Sequence, residues 1–418
     1  MTQLRSIFGY TMLTLLARVM SVVSVLLFAR LLAQDVFGKY AFFQTSATLI
    51  VTLAGFNLQT PVAVVLARGV EGRKKIENSI IVFLLFITSL AVGAFSIIAA
   101  AVFFPHMNLV AQDYLWFVIF GVTNSMQIFV SAALIARGQR MTSALGILIS
   151  STAICVVLLL SHKIGLAEAL ARSGLCVAGG VAFAAFFLLR AGLCTNLSIV
   201  AEAVLRFLKK SGRKVLIFSI NSFAANFIAQ FGLWLLQRQL IVNAGPSESA
   251  IFALSSQFYN IVIFLPGIFG PLLLRDLINR PSYLDQYKAV CRSAVAVIAV
   301  CVIGMVTAHF MIPYLAFVLP QKYQIGEIPI LLSVFAGILM FIKFPFSVFF
   351  QARISAAPEV GGSILFSAVI MVGLLTSLFV RSADLSLTLR VLAHSIQASC
   401  VIISFFAQSH FGRKSHGK

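Results

Sequence analysis

Twelve apolar runs fill the chain, each near the roughly 20 residues that carry a helix across the hydrocarbon core of a bilayer. They cover residues 8–32, 41–66, 79–104, 114–136, 142–161, 169–190, 215–237, 250–274, 292–315, 328–350, 360–380 and 386–408. Inside hydrocarbon every backbone N–H and C=O must find a partner within the protein, so runs of this length have to be helices. The predicted fold is an all-α polytopic membrane protein with about 12 transmembrane helices. Composition agrees: 60% of the residues are hydrophobic and only 10% are charged, where a soluble domain carries roughly 25% charged residues. A water-soluble enzyme is excluded. Arg5 precedes the first run as in a signal peptide, but the run continues to Leu32, beyond the roughly 7–15 residues of a signal core. It reads as a retained first span.

The longest connection follows Arg190 and contains AEAVLRFLKKSGRK, a basic amphipathic segment expected to lie on the membrane surface. The loop cations set the orientation, because Lys and Arg concentrate on the cytoplasmic side. With the N-terminus inside, only Lys39, Lys163, Arg238, Lys322 and Arg381 fall in outside loops. Clusters such as Arg73, Lys74 and Lys75, or Lys209, Lys210, Arg213 and Lys214, all fall inside. Both termini are therefore expected in the cytoplasm of a bacterial inner membrane protein. The net charge of +19 is explained by loops facing cytoplasm and anionic headgroups; no nucleic-acid partner is expected.

The two halves of the sequence echo each other. Ala136-Arg137 aligns with Ala352-Arg353, Arg172 with Arg390, and Arg30 with Arg238. These pairs imply offsets of 216, 218 and 208, rising slowly as a duplication with small insertions would give. Six spans per half is an even number, so the halves form a parallel repeat. The expected organisation is an N-terminal six-helix bundle over 1–195, a cytoplasmic linker over 196–214, and a C-terminal six-helix bundle over 215–418.

Charges inside the spans carry the functional argument. A cation at mid-membrane costs about 2.5–3.5 kcal/mol on insertion scales and marks a functional surface by default. Arg18 shares one helix face with Thr11, Thr14 and Ser21. At offset 208 it aligns with Asn226, which continues the face of Ser219 and Ser222. Gln127 and Ser131 of the fourth span align with Lys343 and Ser347 of the tenth. Arg18 stands ten residues from the nearer end of its span and Lys343 seven from the nearer end of its own, which places both deeper than easy snorkelling allows. Arg30, Arg172, Arg238 and Arg390 lie nearer the periplasmic ends, where snorkelling is easy, and gain weight as a mirrored set. Polar Ser, Thr, Asn and Gln also serve as interhelical glue. The twelve carboxylates all fall in loops or at span borders. The span interior is thus expected to be cationic, with no acid to neutralise it.

Other chemistry has no anchor. No GxxxxGK[ST] marks a P-loop, and no HExxH or paired-acid arrangement marks hydrolysis. The six cysteines are scattered without metal or redox spacing, so neither metal nor cofactor is expected. His309 and His394 lie in spans nine and twelve, where a hydrogen-bonded packing role is the default.

At FARLLAQDVFGKYAFFQTSATLIVTLAGFNLQTPVAVVLARG, the Arg30-Leu31-Leu32 run is followed by Phe37-Gly38 and Tyr40. This pattern resembles the polysaccharide transport branch of the multidrug/oligosaccharidyl-lipid/polysaccharide (MOP) exporter superfamily, the Wzx-type flippases of O-antigen and capsule repeat units. IARG at Ile135–Gly138 and IFALSSQFYNIVIFLPGIFGPLL in span eight are similar to that family too. The resemblance implies a flippase, not an enzyme. Its substrate would be an undecaprenyl-diphosphate-linked oligosaccharide, moved from the cytoplasmic to the periplasmic leaflet by alternating access around a cationic cavity. Membrane lipids and a polysaccharide polymerase machinery are the implied partners. The chain departs from some relatives in lacking acids within its spans.

The residues independently fit a diphosphate headgroup: arginine suits phosphate through its planar fork. With the cell interior negative, outward movement of two negative charges gains roughly 5 kcal/mol at 100 mV if they are uncompensated. The membrane potential is therefore expected to suffice as a driving force. The alternative is a MATE-like or facilitator-type small-molecule antiporter. Cationic drugs would need acids along the path, and a facilitator loop motif is only loosely echoed at LARGVEGRKK. A membrane polymerase or glycosyltransferase would need a large extramembrane loop that the sequence lacks.

Overall fold

A computed structural model of the chain describes residues 2–55, 74–103, 109–190, 197–280 and 282–415, apart from 316–318, 324, 354, 356 and 377. Twelve long helices run through the described residues. They are α1 (Thr2–Leu31), α2 (Gln34–Gly55), α3 (Lys74–Phe103), α4 (Ala111–Ala136), α5 (Arg140–Leu159), α6 (Leu166–Leu189), α7 (Leu197–Ala244), α8 (Pro246–Asn279), α9 (Tyr283–Leu315), α10 (Glu327–Ala352), α11 (Ala357–Leu375) and α12 (Ala383–Ser415). No strand occurs among the described residues. Ten of the helices contain a stretch long and apolar enough to cross a membrane. The protein is a multi-pass, all-helical membrane protein.

The helices begin where the sequence supplies start signals. Asp113 caps α4 by accepting the Val110 N–H at 3.0 Å, which satisfies a donor the first turn leaves open. The α7–α8 turn uses Gly245 at φ 92° followed by Pro246 at the first helical position. Glycine tolerates that φ, and proline gives up an N–H the helix start does not use.

The chain divides into two compact units. One holds Met1–Val36 and Phe43–Phe223; the other holds Phe37–Phe42 and Ala224–Lys418. The basic segment expected as a separate surface helix is instead continuous with the seventh span, because α7 runs unbroken from Leu197 to Ala244. The side chains of 197–219, including Ser219, lie outside the described set, as do Ser222 and the stretch 56–73 of the family-like segment.

Within each unit the helices pair in the same order. In the first, α3 packs on α4, α4 on α6, α5 on α6 and α1 on α5. In the second, α9 packs on α10, α10 on α12 and α11 on α12. There α7 meets α11, where Ser367 Oγ donates to the Ile228 carbonyl at 2.6 Å. Small residues allow these close approaches. A Cβ on Gly180 of α6 would stand 1.9 Å from Ser150 Oγ of α5. One on Gly232 of α7 would stand 2.8 Å from Ser367 Oγ of α11.

The Phe-Gly-x-Tyr turn is a packing element of the second unit. Phe37 and Tyr40 are fully buried, and Phe37 meets the edge of Tyr323 at 5.8 Å. Gly38 lies so close to the start of α8 that a Cβ there would come within 1.9 Å of the Pro246 carbonyl oxygen. Phe42 stacks on Trp234 at 5.9 Å. The motif residues make fold contacts here, which accounts for their size and for the glycine between them.

Candidate functional site

The second unit carries a polar seam between α8, α10, α11 and α12. It begins with a helix pattern: Leu387, Arg390, Val391, His394, Gln397, Ala398, Val401 and Phe405 are all buried along one side of α12. Their spacing of three and four residues gives a single stripe. Aliphatic side chains fill most of it, but Arg390, His394 and Gln397 place three polar groups in its middle.

Arg390 is only 4% exposed. Its Nη1 donates to Ser256 Oγ at 2.8 Å, and Ser256 in turn donates to the Phe252 carbonyl at 2.7 Å. The guanidinium sits 3.9 Å above the Tyr259 ring. A desolvated cation–π contact contributes about 2 kcal/mol, and a charged hydrogen bond about 1.5–3 kcal/mol. Together these offset the roughly 2.5–3.5 kcal/mol cost of a mid-membrane cation. No carboxylate pairs with Arg390 among the described residues, and its Nε is buried without a hydrogen-bond partner.

Tyr259 also continues the seam toward His394. Its ring stacks on His394 at 5.4 Å with an interplanar angle of 12°. His394 Nδ1 lies 3.3 Å from Gln397 Oε1, and Gln397 Nε2 donates to Ser363 Oγ of α11 at 3.4 Å. His394 Nε2 is buried without a partner. Histidine 394 therefore packs and hydrogen-bonds as expected, while His309 is exposed on α9.

One helical turn from Ser363, Glu359 stands in the first turn of α11. Its Oε2 accepts from Lys343 Nζ of α10 at 2.9 Å. The Lys343 side chain is 8% exposed and that of Glu359 20%. This corrects the expectation of an interior without acids: the deepest lysine of the tenth span is neutralised by a carboxylate from the next helix. The apolar run of span eleven starts after Glu359, but its helix starts at Ala357. That places the acid in the first turn of α11, within reach of Lys343, where the helix N-terminus also favours it.

In the first unit, Arg18 is exposed on α1. Met12, Leu15, Leu16, Val19 and Val23 are exposed as well; at 100° per residue Arg18 lies about 60° around the helix from Leu15 and about 100–160° from the others. Asn226 of α7 is exposed too, lying about 140° around from the exposed Ile220, Phe231 and Val242. Both members of the aligned pair are thus exposed on their helices.

The other candidates separate. Gln127 Nε2 donates to Ser150 Oγ at 2.9 Å, so it ties α4 to α5 as interhelical glue. Arg30 is exposed in the last turn of α1, where a cation suits the helix C-terminus. Arg172, 30% exposed, lies 4.0 Å from Glu168 and donates to Ser161. The repeat aligns it with Arg390, yet one is an ion pair near the surface and the other a buried cation on an aromatic ring. Arg238 is half-buried, its Nε without a partner among the described residues. The mirrored set is therefore not one equivalent ring. The sequence reading missed Tyr259, Ser363, Gln397 and Glu359. The signal for Gln397 was the polar spacing of three and four on α12, and for Ser363 and Glu359 the spacing of four on α11; Tyr259 on α8 carried no such signal.

No protein-family model and no curated protein matches the chain in sequence. Solved structures do match it in shape. An inward-facing multidrug resistance MATE family transporter of the MOP superfamily superposes with a TM-score of 0.70 over 98% of this chain and 99% of its own, at 13% identity. The fold is that of MOP-superfamily transporters. The lipid II flippase MurJ, in an inward closed conformation, matches at 0.67 over 94% of this chain and 87% of its own, also at 13% identity. A Vibrio cholerae MATE transporter, VcmN with a D35N substitution, matches at 0.55 over 97% and 96%, at 13% identity. Multidrug resistance transporters and a lipid II flippase are thus both similar to this chain in fold.

Proposed function

We propose that the chain is a flippase for a lipid-linked oligosaccharide. An undecaprenyl-diphosphate carrier would bring an O-antigen or capsule repeat unit from the cytoplasmic to the periplasmic leaflet of a bacterial inner membrane. Both termini would be cytoplasmic, transport would proceed by alternating access, and polymerase machinery would take up the product. The observation that carries this reading is a surplus cation. Arg390 is buried with no carboxylate partner among the described residues. A diphosphate supplies the missing anion, and guanidinium groups match its oxygens. The hydroxyl and amide groups of Ser256, Gln397, Ser363 and Asn226 suit sugar hydroxyls. Likeness in fold to MurJ supports a lipid-linked substrate. In a deletion strain, the lipid-linked glycan should accumulate in the cytoplasmic leaflet and surface glycan should disappear. Normal surface glycan in that strain contradicts the proposal.

A small-molecule antiporter is the second reading. It is favoured by the TM-score of 0.70 to a MATE transporter and by an acid, Glu359, paired with a buried lysine of another helix. It predicts raised sensitivity to cationic drugs in the deletion strain, with glycan unchanged.

A further inference from the structure

The Lys343–Glu359 pair has a property that a plain structural salt bridge does not need. Glu359 Oε2 is bonded to Lys343, yet Glu359 Oε1 is buried with no hydrogen-bond partner. A buried carboxylate of a fixed pair usually has both oxygens satisfied, since the desolvation cost of the charge is otherwise not offset. The other described carboxylates whose partners are known have local roles. Asp113 caps α4, Glu168 pairs with Arg172, Glu248 accepts the Ala383 N–H at 2.7 Å, Asp276 pairs with Arg280 and Asp285 accepts from Ser282. Glu359 alone of these reaches a lysine of another helix in the seam.

We infer that Glu359 is a proton-binding group that exchanges places with the substrate's diphosphate on Lys343. The inference rests on the flippase reading, because it needs an anionic substrate. In the resting state the carboxylate occupies the ammonium and stands in for the phosphate. When a diphosphate takes the ammonium, Glu359 is left as an unpaired carboxylate in a low-dielectric interior, and such a group neutralises by taking up a proton. The exchange balances. A lysine ammonium–carboxylate pair, a diphosphate diester dianion and one proton from bulk water give an ammonium–diphosphate pair and a neutral carboxylic acid. One of the two negative charges brought by the substrate is thereby cancelled within the protein.

The fixed charges around the pair are cationic and hold Glu359 ionised, so uptake of a proton has to be driven by the two negative charges of the diphosphate. From α8 the neighbour in the seam is Tyr259, and from α12 Arg390 and His394. From α10 it is Lys343 itself, and α11 adds no other ionisable group in its described length. On α9, Lys288 and Arg292 are exposed. On α12, Asp384 is exposed too. No second acid in the seam competes for the proton among the described residues. Ser363, one turn along α11 from Glu359, accepts from Gln397, which in turn meets His394 Nδ1.

The test uses the full-length protein in detergent micelles, in weakly buffered solution with a pH-indicator dye. The probe is a short-chain prenyl diphosphate N-acetylglucosamine, whose phosphates are both esterified and carry no proton of their own near neutrality. Binding is followed separately by tryptophan fluorescence. The wild type should bind and take up about one proton per bound lipid. Glu359→Gln should bind as tightly or tighter and take up none, while Glu359→Asp, which keeps the carboxylate, should restore uptake. Binding by the wild type without uptake overturns the inference and leaves the flippase reading intact, as does undiminished uptake in a folded Glu359→Gln protein. Failure of the wild type to bind overturns the flippase reading and the inference with it. If Glu359→Gln does not fold, the Glu359→Asp and Lys343→Gln proteins decide: uptake in the first and none in the second upholds the exchange, and any other pattern overturns it.

Discussion

Removal of Lys343 exposes the energetic asymmetry of its pair with Glu359. In Lys343→Met the carboxylate keeps its place in the first turn of α11 but loses its hydrogen-bond partner among the described residues. Breaking a buried pair from one side costs about 3–5 kcal/mol. The 20% exposure of Glu359 lets water screen part of that charge, which puts the expected loss at about 2–3 kcal/mol. Glu359→Leu should lose a similar amount, because it strands the ammonium. The double variant Lys343→Met with Glu359→Leu leaves no buried charge and should return to within about 1 kcal/mol of the wild type. The resulting coupling between the two sites is about 2 kcal/mol or more, well above the few tenths expected of independent positions. Equilibrium unfolding of the four proteins in mixed micelles gives this cycle directly. Additive single losses, with the double variant as unstable as their sum, refute the pairing. The double variant also separates stability from transport, since it should be stable and yet export no glycan.

Further outcomes follow from the same contacts. Arg18→Ala should abolish or sharply reduce surface glycan at normal protein level, and Arg18→Lys should keep part of it; wild-type glycan in the alanine strain removes Arg18 from the substrate path. Gly38→Ala drives a Cβ against the Pro246 carbonyl and should destabilise by about 3 kcal/mol, the upper end for overpacking, read as lower thermal stability with substrate binding retained in the folded fraction. Gln127→Leu removes one interhelical hydrogen bond, worth about 0.6 kcal/mol in a membrane; glycan level should stay near wild type, and its loss would make Gln127 a substrate contact instead of glue. Arg390→Lys keeps the charge but not the planar stack on Tyr259, so glycan export should fall severalfold or more.

The sequence carried the twelve helices because each long apolar run has one way to satisfy its backbone in lipid. It also carried the alignment of Arg18 with Asn226, both of which are exposed, on α1 and α7. The seam was harder to read. Arg390 was placed at a rim because it lies seven residues into its helix. Its burial is decided by Tyr259 and Ser256, more than 130 residues earlier in the chain. Arg172 aligns with it in the repeat but finds Glu168 one turn away on its own helix, so identical repeat positions acquired different environments. Glu359 was read as a border residue because the apolar run begins after it, whereas the helix begins before it. A counter-charge from the neighbouring helix leaves no trace in hydropathy. The Phe-Gly-x-Tyr turn was visible as a motif, but its work is in packing against Tyr323 and Pro246.

The most direct test of the flippase account is leaflet exchange in reconstituted vesicles. Liposomes containing the purified protein and a fluorescent prenyl-diphosphate oligosaccharide are treated with a membrane-impermeant quencher, and the protected fraction is followed over time. With the protein present, the lipid protected in the inner leaflet should become accessible within minutes, and the Arg390→Ala protein should leave it protected. Vesicles in which the lipid stays protected, while a cationic dye crosses in exchange for protons, contradict the flippase account and identify a small-molecule antiporter.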